Sequence, residues 1–157
     1  MPVGRKGLDI IAAYTLSQAV GVKIRGGAMA DTNHVQQIRP VEQVSVDQEQ
    51  LGALYHQLGE AGAEDVVCRA LEELAHRLGD CDALYSNAEW VALRKNVHAL
   101  VSVAEQIGMH AVARVARDVT RCLDHGDGIA AAATLSRLIR IGERSLTAVW
   151  DLQDVPF

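Results

Sequence analysis

Residues 90–108 read WVALRKNVHALVSVAEQIG, and apolar residues recur in this stretch every three or four positions. At about 100° of rotation per residue, this spacing gathers them on one side of an α-helix. The apolar set consists of Trp90, Leu93, Val97, Leu100, Ala104 and Ile107. The stretch is therefore predicted to form an amphipathic helix with one side in a core and the opposite side in water.

The polar side of this predicted helix carries a histidine. His98 lies roughly 120–140° of rotation from the centre of the apolar stripe, in a neighbourhood that holds Arg94, Lys95, Ser102 and Glu105. Its imidazole is therefore predicted to point into solvent. On periodicity alone an exposed histidine is usually an ordinary surface residue, so a function for it needs a further signal.

The residues that follow His98 supply such a signal. Leu100 follows it by two residues, and the pair Ile107-Gly108 follows by nine and ten. In this spacing the chain resembles the histidine phosphotransfer (HPt) domains of bacterial phosphorelays, whose phospho-accepting histidine is followed by an apolar residue and then by an apolar–glycine pair at the same distances. The resemblance implies that His98 is the residue that becomes phosphohistidine.

The resemblance covers about 47–150 of the chain. After Gly108, a second amphipathic run, a break at 125–128 and an alanine-rich run follow in the family's order of elements. Two positions depart from the family pattern, which commonly has lysine three residues after the histidine and glycine four residues after it. This chain has Val101 and Ser102 at those positions. In the family, the lysine helps to hold the phosphoryl group and the glycine leaves room for the partner.

The function that the resemblance implies is phosphorelay signal transduction in a two-component system. His98 would accept a phosphoryl group from the aspartyl phosphate of a receiver domain and pass it to another receiver. The implied partners are response-regulator receiver domains, with a hybrid histidine kinase as a further candidate. The chain is then a phosphoryl carrier rather than an enzyme and binds no cofactor, because the magnesium ion belongs to the partner receiver. The alternative is a degenerate HPt-like bundle that docks signalling partners without phosphotransfer.

Five neighbours of the histidine are candidates for binding the phosphoryl group or the partner. The two cations either offset the charge that phosphorylation adds or are ordinary solvated helix charges. The serine either donates a hydrogen bond to a phosphoryl oxygen or bonds back to a backbone carbonyl one turn earlier. The valine belongs either to an apolar docking rim or to the edge of the core, and the glutamate disfavours a second negative charge nearby. These candidates are Arg94, Lys95, Val101, Ser102 and Glu105.

The composition bounds the class of protein. The 157 residues suffice for one domain with a sizeable core, and 49% hydrophobic with 22% charged residues is typical of a soluble globular chain. The formal net charge of −5 disfavours binding to nucleic acid. Aromatic residues make up only 4%, while alanine and leucine dominate the apolar set, which favours an all-α fold. No apolar stretch approaches the ~18–20 residues that span a bilayer, so a cytoplasmic protein without membrane contact is predicted.

Helix start and stop signals predict an up-down-up-down antiparallel four-helix bundle with an additional short N-terminal helix. Asp47 caps the short helix, with Gln50 as the reciprocal capping-box residue, and Gly59 and Gly62 end it. This helix covers 48–58 and is expected to lie across one end of the bundle. Short loops between helices of similar length make the bundle helices antiparallel neighbours.

Four longer runs supply the bundle helices. The first extends from Glu64 to Gly79, where 79–82 either frays or bends it. Ser86 and Asn87 are predicted to cap the helix of His98, which Gly108 closes. The third helix stops at 125–126, and Asp127 caps the fourth. Within the fourth helix, Ile129 is assigned to the apolar side, and Gly142 is predicted to cost about 1 kcal/mol relative to alanine.

The predicted domain boundary separates 1–46, a partly flexible extension, from the bundle at 47–152. Residues 8–20 could form a short amphipathic helix that Gly21 breaks. Met29 would make a natural start for the polar lead-in to the bundle, so 1–28 is interpreted as an upstream extension. Deleting 1–28 is then predicted to leave thermal stability unchanged.

The cysteines and histidines outside the main stretch predict no metal site. Cys68, Cys81 and Cys122 lack C-x-x-C spacing and are interpreted as reduced residues in or near the core. A di-metal carboxylate bundle needs two Glu-x-x-His pairs, and only Glu73 with His76 fits. A zinc site built on Cys122 and the histidine three residues later lacks two further ligands.

Overall fold

The computed structural model describes residues 42–153, and their side chains as far as Val149. Within this range the chain contains no β-strand, which confirms the all-α prediction for these residues. The helix predicted at 8–20 and nearly all of the predicted extension lie outside the described residues. The four helices are α1 (Gln48–Ser86), α2 (Trp90–Gln106), α3 (His110–Asp124) and α4 (Gly128–Gln153).

Consecutive helices pack against one another, and α1 also contacts α4, so the four helices surround one core. Each connection between helices is only three residues long, at 87–89, 107–109 and 125–127. Leucine, valine and alanine side chains from all four helices fill the interior, among them Leu74, Leu93, Leu100, Val115 and Leu138. The predicted bundle is thus found at the level of four packed helices.

The first turn of α1 is tied to the connection between α2 and α3. Asp47 accepts the backbone N–H of Gln50 at 3.0 Å, which confirms the predicted cap. The reciprocal capping-box contact is wrong, because the Gln50 side chain instead donates to the backbone carbonyls of Glu105 and Gln106. Val46, just before the cap, is buried in the core.

A single glycine interrupts α1. Gly59 has φ 73° and ψ 168°, outside the helical region, and it separates 48–58 from the longer part of the helix. The predicted second break at Gly62 is wrong, and of the two alternatives at 79–82 fraying is not found, because the helix continues to Ser86. Beyond Gly79 the burial of Cys81 keeps the helix against the core, so its last turns remain helical.

The start of α2 differs from the predicted cap. Ser86 is the last residue of α1 and Asn87 is its C-cap, whereas the N-cap position of α2 is Glu89, whose side chain makes no capping bond. Ala88 between them has φ 57°. The serine and asparagine therefore end one helix rather than begin the next.

Gly108 shapes the turn between α2 and α3. Its φ is +75°, and its carbonyl accepts the backbone N–H of Asp47 at 3.0 Å. A Cβ at this position would lie 2.8 Å from Cβ of Asp47, while the preceding Ile107 is only 1% exposed. The apolar–glycine pair thus has a physical reason here. The buried isoleucine anchors the end of α2, and the glycine permits a left-handed turn in close contact with the backbone of Asp47.

The end of the bundle that holds the α3–α4 connection is less apolar than predicted. Asp127 caps α4 by accepting the backbone N–H of Ala130 at 2.9 Å, as predicted. Ile129, assigned to the apolar side, is 88% exposed because it lies in the first turn beyond the packed part of α4. Trp90, assigned to the α2 stripe, is 47% exposed and makes an edge-to-face ring contact with Tyr85.

Gly142 has a packing role that its helix propensity does not show. It is buried where α4 meets α1, and a Cβ there would overlap Cδ1 of Leu78 and lie 2.9 Å from Cδ2. The interpretation of this glycine as a simple weak point of the last helix is therefore wrong. Its missing side chain makes room for a buried leucine.

Candidate functional site

His98 occupies the middle of α2, as the ninth of its 17 residues. Its neighbours Val97 and Leu100 are completely buried and fix the helix against the core, whereas the His98 side chain is exposed. The prediction that its imidazole faces solvent is confirmed. Between residues 42 and 149 no side chain or carbonyl hydrogen-bonds its ring nitrogens, so both remain accessible to an incoming molecule.

An open surface cleft of about 310 Å³ lies beside His98. Its walls come from α2 and from the facing side of α3. The α2 side contributes the histidine and a valine, and the α3 side contributes mostly polar and charged residues. The lining residues are His98, Val101, Arg117, Thr120, Arg121, Asp124 and His125.

Ion pairs connect α2 to α3 on both sides of the histidine. Arg94, one turn before His98, donates two hydrogen bonds to Asp124, at 2.5 and 3.1 Å. This contact holds the pKa of the Asp124 carboxyl below its ordinary value, and the same contact raises the pKa of Arg94. At the other side of the histidine, Glu105 pairs with Arg117. Two of the five residues that the sequence assigned to partner or phosphoryl binding, Arg94 and Glu105, thus form ion pairs with α3.

The remaining cations differ in what they contact. Arg121 lies 3.3 Å from Asp118 of its own helix and keeps 67% of its side chain exposed. Lys95 is exposed, does not line the cleft and forms no ion pair with the residues described here. Lys95 therefore lies close to His98 in sequence but outside the cleft.

The two positions that depart from the HPt pattern have different surroundings. Val101 is 8% exposed, belongs to the core and also lines the cleft, which fits the interpretation as the edge of the core. Ser102 is exposed, and within the described part of the chain its hydroxyl forms neither the predicted back-bond nor any other hydrogen bond. Whether either residue binds a phosphoryl group or a partner stays a prediction.

Three of the side chains considered for metal binding have other partners. Glu73 pairs with Arg77, and His76 lies 3.1 Å from Asp80. Nδ1 of His125 lies 2.7 Å from the backbone carbonyl of its own helix one turn earlier. Among the residues from 42 to 149 no three histidine, cysteine or acidic side chains are close enough to hold a metal ion.

The α3 side of the cleft was not predicted from the sequence. Its members Arg117, Arg121 and Asp124 recur at spacings of four and three, which places them on one polar face of α3. That spacing was a usable signal, because an antiparallel neighbour presents one such face toward the polar edge of α2. The arrangement brings cations and an accessible nucleophilic nitrogen to one open cleft, a combination suited to a small anion such as a phosphoryl group.

Comparisons of the chain with family models, curated proteins and solved structures found no match. The resemblance to HPt domains therefore stays a prediction from the sequence. None of the helices between 42 and 153 is both long and apolar enough to cross a bilayer.

Proposed function

We propose that this protein is an HPt-like phosphoryl carrier of a bacterial two-component phosphorelay, in which His98 becomes phosphohistidine. The observation that carries the proposal is the exposed imidazole in the middle of α2, beside a cleft that Arg117 and Arg121 also line. The buried side of α2 holds the helix of the nucleophile against the core, and the open cleft gives a protein-borne phosphoryl group access to it.

The transfer step needs few groups from the carrier protein. The lone pair of one His98 ring nitrogen attacks the phosphorus of the aspartyl phosphate, the bond between phosphorus and the carboxylate oxygen breaks, and the aspartate leaves as a carboxylate. The other ring nitrogen keeps its proton. The partner receiver supplies the magnesium ion and the charges that stabilise the transferring group, so this chain needs only to position an uncharged imidazole. The bundle acts as an up-down-up-down antiparallel scaffold for that imidazole, and the reaction belongs in the cytoplasm.

The second candidate function is a bundle that docks signalling partners without phosphotransfer. The buried Val101, at the position where the family commonly has lysine, favours this alternative because it brings no cation to the histidine. The two candidates differ in one measurable property, which is the appearance of a phosphoryl group on His98 after contact with a phosphorylated receiver.

The test is transfer of radiolabelled phosphate from a panel of phosphorylated receiver domains. We expect acid-labile, base-stable label on the wild-type protein and none on His98→Gln, with the melting temperature nearly unchanged because an exposed side chain adds little to the core. His56→Gln is the matched control, since His56 is also an exposed histidine, in α1, and lies outside the cleft. It should take label like the wild type.

Three results would contradict the proposal. Label that persists in His98→Gln would move the acceptor to another residue. A loss of several kcal/mol of stability in that variant would show that His98 is structural. Receivers that bind the wild-type protein but never label it would favour docking without phosphotransfer.

A further inference from the structure

Two ion pairs show how α3 is aligned with the helix of the histidine. Arg94 pairs with Asp124 toward one end of α2, and Glu105 pairs with Arg117 toward the other. His98 lies four residues after Arg94, and Arg121 lies three residues before Asp124. In antiparallel helices both are therefore about one turn inward from the same ion pair, so Arg121 lies level with the histidine across the cleft that both line.

Of the three arginines around this cleft, Arg121 also has the weakest contact with a carboxylate. Arg94 binds its carboxylate with two hydrogen bonds, and Arg117 is engaged with a residue of the facing helix. Arg121 has only a 3.3 Å contact with Asp118, three residues away on its own helix. An exposed pair of this kind contributes little free energy, so the guanidinium can leave it for a group that carries more negative charge.

We infer that Arg121 is the phosphoryl-binding residue of this site and acts from α3 in place of the lysine that the family commonly has on the histidine's own helix. The inference rests on the proposed function of His98. A phosphoryl group brings about −1.5 to −2 charges, and a guanidinium matches two of its oxygens with parallel N–H donors. Val101, at the position of the family lysine, then serves as the apolar floor of the cleft.

Chemical phosphorylation tests this role without any partner protein. With phosphoramidate as donor, a His98 ring nitrogen attacks phosphorus, the P–N bond of the donor breaks, and ammonia leaves. We expect Arg121→Gln to take up phosphate about two- to fivefold more slowly than the wild type, the range that a partly screened charge contact produces. Arg121→Lys should retain much of the wild-type rate, because lysine keeps the positive charge although it lacks the two parallel N–H donors of the guanidinium.

Arg69→Gln is the matched control for charge. Arg69 is an exposed arginine of α1 that also pairs with an aspartate of its own helix, at 3.0 Å, and it lies outside the cleft. Its substitution changes the net charge by the same amount and should leave the rate at the wild-type value. Circular dichroism of all three variants checks that helix content is retained.

The phosphorus NMR signal of the phosphohistidine gives a second, local readout. A nearby cation favours the more negative form of the phosphoryl group, so the signal of Arg121→Gln should titrate at higher pH than that of the wild type. Equal rates and equal titrations in Arg121→Gln and the wild type would overturn the role of Arg121. A wild-type protein that phosphoramidate cannot label at His98 would overturn both proposals, whereas label from phosphoramidate without label from any receiver would overturn only the relay function.

Discussion

Asn96 and Cys81 form a polar contact inside the interface between α1 and α2. The Asn96 amide donates to the backbone carbonyl of Arg77 at 2.7 Å and accepts from the Arg77 guanidinium at 3.1 Å. The Cys81 thiol donates to the same carbonyl at 3.2 Å. Because buried polar groups are costly unless they are paired, these contacts favour one alignment of the two helices over others.

Burial also controls the chemistry of the Cys81 thiol. The side chain is completely buried, and this raises its pKa to about 12. The thiolate is the nucleophile that attacks an alkylating reagent, so we expect Cys81 of the native protein to remain unmodified at pH 8 and at pH 9. The folded state holds a proton that the unfolded chain releases above its ordinary thiol pKa, so the free energy of unfolding should fall as the pH rises from that range toward 12.

Mass spectrometry of the alkylated protein checks this prediction. Cys68 is the internal comparison, because it is only half-buried and should gain an adduct as the pH is raised, although burial raises its pKa as well. Unfolding the protein in guanidinium chloride should expose Cys81 and allow full modification of its thiol. An adduct on Cys81 in the folded protein at pH 8 would show that the interface between α1 and α2 opens.

Individual side chains differ in how far the sequence predicts them. The exposure of His98 follows from helical periodicity, because a local repeat fixes the direction of each side chain. The contact of Arg94 with Asp124 does not follow, because it joins residues 30 positions apart and depends on how two helices are aligned. The burial of Asn96 also could not be predicted from helical periodicity, because the sequence does not show that Arg77 and Cys81 contact this side chain.

At the scale of whole helices, the same residue type has opposite effects in α1 and α4. A Cβ placed on Gly52 in α1 would meet open space beyond its own helix backbone, whereas a Cβ at Gly142 would overlap Leu78. An alanine gains roughly 1 kcal/mol over glycine inside a helix through reduced backbone entropy. Overpacking a buried contact costs about 1–3 kcal/mol, and Leu78 is only 1% exposed and has little room to move.

We therefore expect Gly52→Ala to raise the free energy of unfolding by about 0.5–1 kcal/mol and Gly142→Ala to lower it by roughly 1–2 kcal/mol. Urea denaturation followed by circular dichroism measures both. Each variant is the control for the other, because the chemical change is identical and only the surroundings differ. An increase in the free energy of unfolding for Gly142→Ala would contradict this expectation, because it would show that α1 and α4 can move apart at this contact without loss of stability.

Helix ends were predictable only where the signal is local. The caps of α1 and α4 follow from Asp47 and Asp127, each of which bonds a backbone N–H three residues later. Glycine was a less certain stop signal, because Gly59 breaks the helix while Gly62 and Gly79 remain helical. The difference depends on whether the next turn gains core contacts, and that is decided by packing rather than by propensity.

For the molecule as a whole, the core explains why the fold class was predictable. Apolar residues at helical spacing from every helix converge on one interior, and buried side chains extend from Val46 to Val149. Periodicity and short connections together leave few arrangements other than a bundle. The cleft beside His98 was not predictable in the same way, because it forms from the polar edges of two helices that the core pattern does not constrain.

The extent of this core shows which N-terminal residues contribute to the stability of the bundle. Within the part of the chain that the structure describes, the residues from Val44 to the end of α4 belong to one compact unit, and its first core member is Val46. Deleting 1–28 should leave the melting temperature unchanged, because it removes none of these contacts. Deleting 1–47 should lower the melting temperature, because it removes Val46, the Asp47 cap of α1 and the backbone hydrogen bond to Gly108.

Differential scanning calorimetry of both truncated proteins and of the full chain measures their melting temperatures. A drop of several degrees after deletion of 1–28 would mean that those residues stabilise the folded protein, and the interpretation of 1–28 as an upstream extension would be wrong.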